Sequence, residues 1–261
     1  MRIKNNVKKD TLKISILVFI GITVFSSCDN NDIGGDRNEN KLTNGYFGPS
    51  VSVSWEQVYN KIEISDDGQN CYYSAYNGNA LLVYNNAIDE EGTISESGKL
   101  EFIIGTPVNT LSIYDNWVSW FLKHGGWDSV TSSSYDVQST NLGLSTNVSE
   151  SNYLDKTVET YTAISDTEYI HTYDNILYTY VDRDVIITAK GKTLNHEDRD
   201  NITIQKFSNV SLHLKQGWNA IYSKSIRKCF NNNGILNVED SFSIFIGDSS
   251  VVKWVIIDHN R

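Results

Sequence analysis

From Val51 onward, apolar and polar residues alternate in short runs with a period of two. Val51, Val53 and Trp55 open the pattern, and Lys61-Ile62-Glu63-Ile64 repeats it. Alternation of this kind marks strands whose two faces meet different surroundings. Asp66-Asp67-Gly68 reads as a turn. Cys71–Tyr76 and Ala80–Tyr84 read as paired strands around a hairpin turn at Asn77-Gly78-Asn79. Asp89-Glu90-Glu91-Gly92 forms a second, acidic turn. Lys99–Ile104 is a further strand, stopped by Gly105 and Pro107.

Between Ser112 and Lys123 the period changes. Ile113, Trp117, Trp120 and Phe121 fall at helical spacing, and Gly125-Gly126 supplies the C-cap glycine that ends a helix. Thr131–Ser151 is rich in Ser, Thr and Asn and poor in apolar residues, so it reads as a long loop. From Thr157 the pattern is that of a β-meander, with turns at Asp182-Arg183-Asp184, Gly191, Lys215-Gln216-Gly217 and Gly247-Asp248-Ser249. Spacings near ten residues fit a sandwich or barrel. The expected fold is therefore all-β, mainly antiparallel β-sandwich modules, with one short helix near 112–124. A module over 45–130 and another over 153–261, joined by a loop or linker at 131–152, is the preferred division. One large sandwich is the alternative.

The start of the chain follows other rules. Arg2, Lys4, Lys8, Lys9 and Lys13 precede a twelve-residue apolar run, Ile14–Phe25, then Ser26, Ser27 and Cys28. A membrane-spanning helix needs about 20 apolar residues, whereas the core of a secretory signal runs about 7–15. Residues 1–27 are thus expected to be a signal peptide. The Phe25-Ser26-Ser27-Cys28 stretch resembles a relaxed lipobox, as in lipoproteins of spirochaete and Bacteroidetes type. The resemblance implies cleavage before Cys28 and diacylation of its thiol. Two acyl chains suffice for stable membrane anchoring. Residues 28–44 contain the polar stretch DNNDIGGDRNENK, which cannot bury enough apolar area to order itself and is expected to form a disordered tether. It is no EF-hand loop, because Ile33 stands where a ligand oxygen belongs and Asn40 replaces the closing bidentate Glu.

Composition narrows the function classes. The net charge is −10, and the signal holds five of the 22 basic residues but one of the 32 acidic ones, so the mature chain is more acidic still. Nucleic acid, which is bound through basic patches, is excluded as a partner. Fifteen Tyr and six Trp favour strands and supply aromatic surface. Beyond Cys28 only Cys71 and Cys229 remain. In an exported protein these two can form a disulfide or stay as separate buried thiols.

Two further segments, GTISESGKLEFIIGTPVNTL (92–111) and NVSLHLKQGWNAIY (209–222), are similar to parts of uncharacterised lipid-anchored β-rich envelope proteins of spirochaetes and related diderms. That resemblance implies a β fold and an envelope address and carries no activity over. Within the second segment Gly217 suits a turn at positive φ, Asn219 can bond turn backbone, and Trp218 covers the core edge or stacks on a sugar.

No catalytic set emerges. His124-Gly125-Gly126-Trp127 resembles an esterase oxyanion motif but lacks a Gly-x-Ser-x-Gly elbow. Gly247-Asp248-Ser249 resembles a GDS-type nucleophile block but lies at the wrong end of the chain. His124, His171, His196, His213 and His259 are scattered without zinc-site spacing, and neither metal nor cofactor is expected. Trp127 and Trp218 are the candidate ligand-contact aromatics, since Trp is enriched at binding hot spots. The expectation is a lipid-anchored envelope lipoprotein of the outer membrane or cell surface. It meets the membrane through its acyl anchor and binds a protein or glycan as an adhesion module without catalysis. A periplasm-facing structural lipoprotein is the alternative, and a carbohydrate-active enzyme the third.

Overall fold

The computed structural model describes residues 45–62, 72–85, 91–146, 149–165, 167–198, 201–232, 234–249 and 252–258. The expected signal peptide (1–27) and tether (28–44), with Cys28, and also Cys71 and His259, lie outside the described residues. Strands account for 71% of the structure beside a single ten-residue helix, so the chain is mostly β and mainly antiparallel, as its alternation predicts.

In chain order the first strands are β1 (Tyr46–Gly48), β2 (Val51–Ile62), β3 (Tyr72–Ala75), β4 (Leu81–Asn85), β5 (Glu91–Ile94), β6 (Lys99–Ile104) and β7 (Leu111–Ser112). A π-wound turn, Tyr114–Val118, then runs into helix α1 (Ser119–Lys123). Next come β8 (Trp127–Ser132), β9 (Gln138–Asn141), β10 (Leu144–Thr146), β11 (Ser149–Ser165) and β12 (Glu168–Val181). The chain continues through β13 (Val185–Gly191), β14 (Thr193–Asp198), β15 (Asn201–Phe207), β16 (Val210–Leu214), β17 (Gly217–Asn232), β18 (Ile235–Ile246) and β19 (Lys253–Asp258).

Seven strands close on themselves. The order β10-β4-β5-β6-β2-β19-β11 returns to its start because β10 pairs with both β4 and β11. The ring is antiparallel except where β19 lies parallel to β2. Closure leaves these strands no open edge along their paired lengths. Val53, Val83, Ile94, Phe102, Leu144, Leu154 and Trp254, one from each ring strand, meet in a common core. Alternation explains this: in β6 every second residue, Leu100, Phe102 and Ile104, points inward.

The long strands β12 and β17 form a wall buried on both faces. Ile176, Tyr178, Tyr180, Trp218 and Ala220 join the ring core. Val181 and Ile221, on the other face, join a second core with Ile187 and Leu212 of the three-stranded β16-β13-β8 sheet and with Trp117 and Phe121 of the helical segment. The near-continuous apolar run Ile176–Val181 is the sequence mark of a strand covered on both sides. The helix ends where its sequence predicts, with Gly125 at φ 68° just past the His124 cap.

Three expectations are corrected. Residues 131–152 are not a linker: they hold the end of β8, all of β9 and β10 and the start of β11, and Val137, Ser139 and Leu144 are buried. Their Ser and Thr hydroxyls are accommodated by pairing, so low apolar content did not mean loop. The two expected modules consequently share both cores, with β2 paired to β19 and β8 to β13. Second, β3 and β4 do not pair with each other; β3 pairs with β2, and β4 with β5 and β10. The second half of β2 outruns β6 and offers its edge to β3. Third, the C-terminal half is no simple meander, because β16 and β17 belong to different sheets and β15 runs parallel to β18.

Gly217 makes that change of sheet possible. It sits at φ 106°, and a Cβ there would lie 2.2 Å from the carbonyl oxygen of Gly48. Asn219 holds the turn by accepting from the Lys215 N–H (3.0 Å) and donating to the Lys215 and Gly217 carbonyls. Gly217→Ala is expected to cost about 2–4 kcal/mol, backbone strain and a forced clash acting together. Urea unfolding checks this; an unchanged midpoint would mean that β1 does not dock against the turn.

Candidate functional site

The first candidate is a buried charge where the sheet forks. β11 pairs with β10 up to Leu154 and with β12 from Lys156 onward, along the same edge, while β19 holds the other edge. Past Ile176, β12 turns away and takes β9 as its neighbour. The gap between them is bridged by Leu142, whose N–H donates to the Tyr178 carbonyl at 2.8 Å. A cavity of about 40 Å³, lined by Leu142, Asn175, Tyr178 and Trp254 among others, remains in the fork. That is room for a water or two and too small for an organic substrate.

Lys156 projects into the fork and is only 5% exposed. Its Nζ donates to the Tyr178 hydroxyl (2.9 Å) and to both carboxylate oxygens of Asp248 (3.0 and 3.2 Å), and it lies 4.0 Å from Glu56 Oε2. It also sits over the rings of Tyr178 and Trp254, at 5.6 and 5.7 Å from their centroids. Burial, reinforced by Asp248 and Glu56, pushes the Tyr178 hydroxyl far above the ordinary phenol range, so it stays protonated. The lysine has three acceptors for its three N–H donors. A charge so fully paired clamps β11, β12 and the β18–β19 turn together, and it offers no free base or nucleophile.

The second candidate is open. The β2–β6 register slips between Ser54 and Glu56, so Trp55 is the extra residue of a β-bulge. Trp55 has φ 63°, a left-handed conformation that costs a bulky residue about 1–2 kcal/mol. Its side chain is 68% exposed, whereas Trp117, Trp127, Trp218 and Trp254 are buried. The bulge is fixed from behind. Glu56 faces Lys156, Gln57 Nε2 donates to the Val58 and Ser97 carbonyls, and the Val58 N–H donates to Gly98 O at 2.8 Å. Retained strain at an exposed aromatic is a mark of a functional position.

The two aromatics singled out in the sequence have a different place. Trp127 is buried against Phe121 and Phe207 (ring centroids 5.1 and 4.7 Å), and its Nε1 donates to Ser208 O at 3.0 Å. Trp218 is fully buried, edge-on to Tyr180, with Nε1 donating to Gly105 O at 2.8 Å. Neither ring presents a face to a ligand, so both are core residues. They belong to separate cores and form no common site. Cys229 is buried on β17 opposite Tyr169, and Cys71, its candidate disulfide partner, lies outside the described residues.

Polar groups recur along the long strands. Arg227 forms a forked pair with Asp240, which is 1% exposed, at 2.8 and 3.0 Å. Asp174, 3.8 Å from Lys224, has its carboxyl raised above the usual range by burial. Burial pushes the Tyr173 hydroxyl up to about 12. These groups tie neighbouring strands to one another. Among the described residues no group of three or more His, Cys, Asp and Glu is gathered closely enough to hold a metal ion. His196 and Glu197 lie on β14, at the end of the sheet.

Sequence reasoning gives no functional role to Trp55, Lys156 or Asp248, and two of the three carry a signal. Lys156 stands between Leu154 and Val158 on one apolar stripe, a charge where a hydrophobe belongs. Val53 and Val58 are out of phase with each other, which is the trace of an inserted bulge residue. Neither a family model, nor a curated protein, nor a solved structure matches this chain.

Proposed function

We propose that the chain is a lipid-anchored cell-envelope protein, attached through Cys28, whose β fold faces outward and binds a ligand without catalysing a reaction. The observation that carries the binding half is Trp55, held strained and exposed on the outer wall of the ring. The narrow fork supports the non-catalytic half, since its one lysine lies between carboxylates that already neutralise it. The resemblance of the first 28 residues to a lipoprotein leader supports the anchor.

The burial of Trp127 and Trp218 favours a second reading, a periplasm-facing structural lipoprotein. One experiment separates the two. Protease added to intact cells is expected to digest the protein, with lysed cells as the control; survival until lysis would leave the structural reading. In the same cells Cys28→Ala is expected to abolish incorporation of a clickable fatty acid. Undiminished labelling would remove the anchor from the proposal.

A further inference from the structure

Trp55 does not stand alone on the ring wall. The exposed face of the neighbouring strands can be read from the register. Ser54 lies opposite Glu101, and Glu101 opposite Thr93; Ser52 lies opposite Ile103. Ser52, Ser54, Thr93, Glu101 and Ile103 are all exposed, while their neighbours Val51, Val53, Ile94, Leu100, Phe102 and Ile104 point into the core. Strands lie about 4.8 Å apart, so these side chains form a shallow, regular surface beside the indole. Its composition is one large aromatic, one aliphatic residue that is 64% exposed, three hydroxyls and one carboxylate.

We infer that this surface binds a saccharide, with Trp55 stacking on the apolar face of a sugar ring and Ser52, Ser54, Thr93 and Glu101 bonding its hydroxyls. The inference rests on the binding function proposed above and names its ligand class. A sugar ring has an apolar face and a rim of hydroxyls, which is the complement of an indole set among short polar side chains. A cationic peptide would call for converging carboxylates, and Glu56 already faces Lys156. A purely apolar partner would leave the hydroxyls and Glu101 unsolvated. The bulge gives the indole its exposure: in regular alternation the residue two beyond Val53 would point into the core. Glu56, Gln57 and Val58 hold that geometry before any ligand arrives, so binding need not order it.

The full chain, purified in detergent, would be screened on a glycan array, and a bound oligosaccharide titrated by calorimetry against wild type, Trp55→Ala and Trp55→Phe. Wild type is expected to bind. Trp55→Ala should weaken binding roughly 30-fold or more, as loss of a hot-spot aromatic does, and Trp55→Phe should recover part of it. Iodide quenching of tryptophan fluorescence gives a second readout, because Trp55 is the most exposed of the six tryptophans: the oligosaccharide should protect wild type and leave Trp55→Ala unchanged. Equal affinity of wild type and Trp55→Ala, with both folded by circular dichroism, overturns the inference. So does a blank array. If a blank array accompanies digestion on intact cells and Trp55-dependent capture of a purified protein ligand, the saccharide falls and the binding function stands. If the protein resists protease on intact cells, the outward-facing function falls by itself.

Discussion

Lys156→Ala is expected to lower folding stability by about 3–5 kcal/mol, the usual cost of removing one partner from a buried ion pair. The loss comes from what is left behind more than from what is removed. Asp248 would keep its carboxylate beside the fork with no cation, and the Tyr178 hydroxyl would lose its donor. Glu56 is half-exposed and can turn to water, so it adds little. The cavity would also grow by the lysine's methylenes, each contributing about 0.8 kcal/mol when buried. Replacing both charges, Lys156→Met with Asp248→Leu, is expected to recover most of the loss, because hydrophobic residues of similar volume often substitute for a buried pair at no net cost. Urea unfolding of the wild type, Lys156→Met, Asp248→Leu and the double forms a complete cycle. Additive losses, with the double variant as unstable as the sum, would show that the two side chains do not act as a pair.

The second large effect lies at Trp218. Trp218→Ala is expected to cost about 3–5 kcal/mol, through lost burial and the cavity left against Tyr180. For a domain of this size that is a fall of about 10 °C in Tm. Trp218→Phe should fall between, since a phenyl ring keeps the edge contact with Tyr180 but loses the 2.8 Å bond from the indole N–H to the Gly105 carbonyl, a deficit of about 1 kcal/mol. Differential scanning calorimetry orders the three proteins. If Trp218→Ala melts with wild type, the indole is not a keystone of the ring core, and its candidacy as a ligand contact returns.

Much of the fold was legible because its rules are local. Alternation in β6, the helical spacing of Ile113, Trp117 and Phe121, the cap at Gly125 and the turn at Gly217 all follow from the residues at those positions. Pairing was less legible. Asn77-Gly78-Asn79 is a sound turn signal, yet β3 and β4 part company because the free edge of β2, the strand just before β3, is available to it. The Ser/Thr-rich stretch before β11 looked like a loop because propensity and composition do not register a strand that is sheltered by neighbours. The candidate site divided in the same way. Trp127 and Trp218 attracted notice as residue types, and only the packing shows that each is enclosed. Trp55 looked like an ordinary inward member of an alternating strand, and one inserted residue turns it out.

The closed ring has a consequence for the order in which the protein can be made. β2 lies near the beginning of the described chain and β19 at its end, and they are direct neighbours in the ring. During synthesis the emerging chain therefore carries the open flank of β2 until β19 has been made. Contacts of such long range form late and slowly. Until β19 arrives, the nascent protein is an incomplete cylinder with an adhesive seam, the kind of species that aggregates or recruits a chaperone. Removal of β19 would accordingly leave that seam unsealed for good, and a chain lacking that strand should be found in inclusion bodies or degraded while the intact chain accumulates folded.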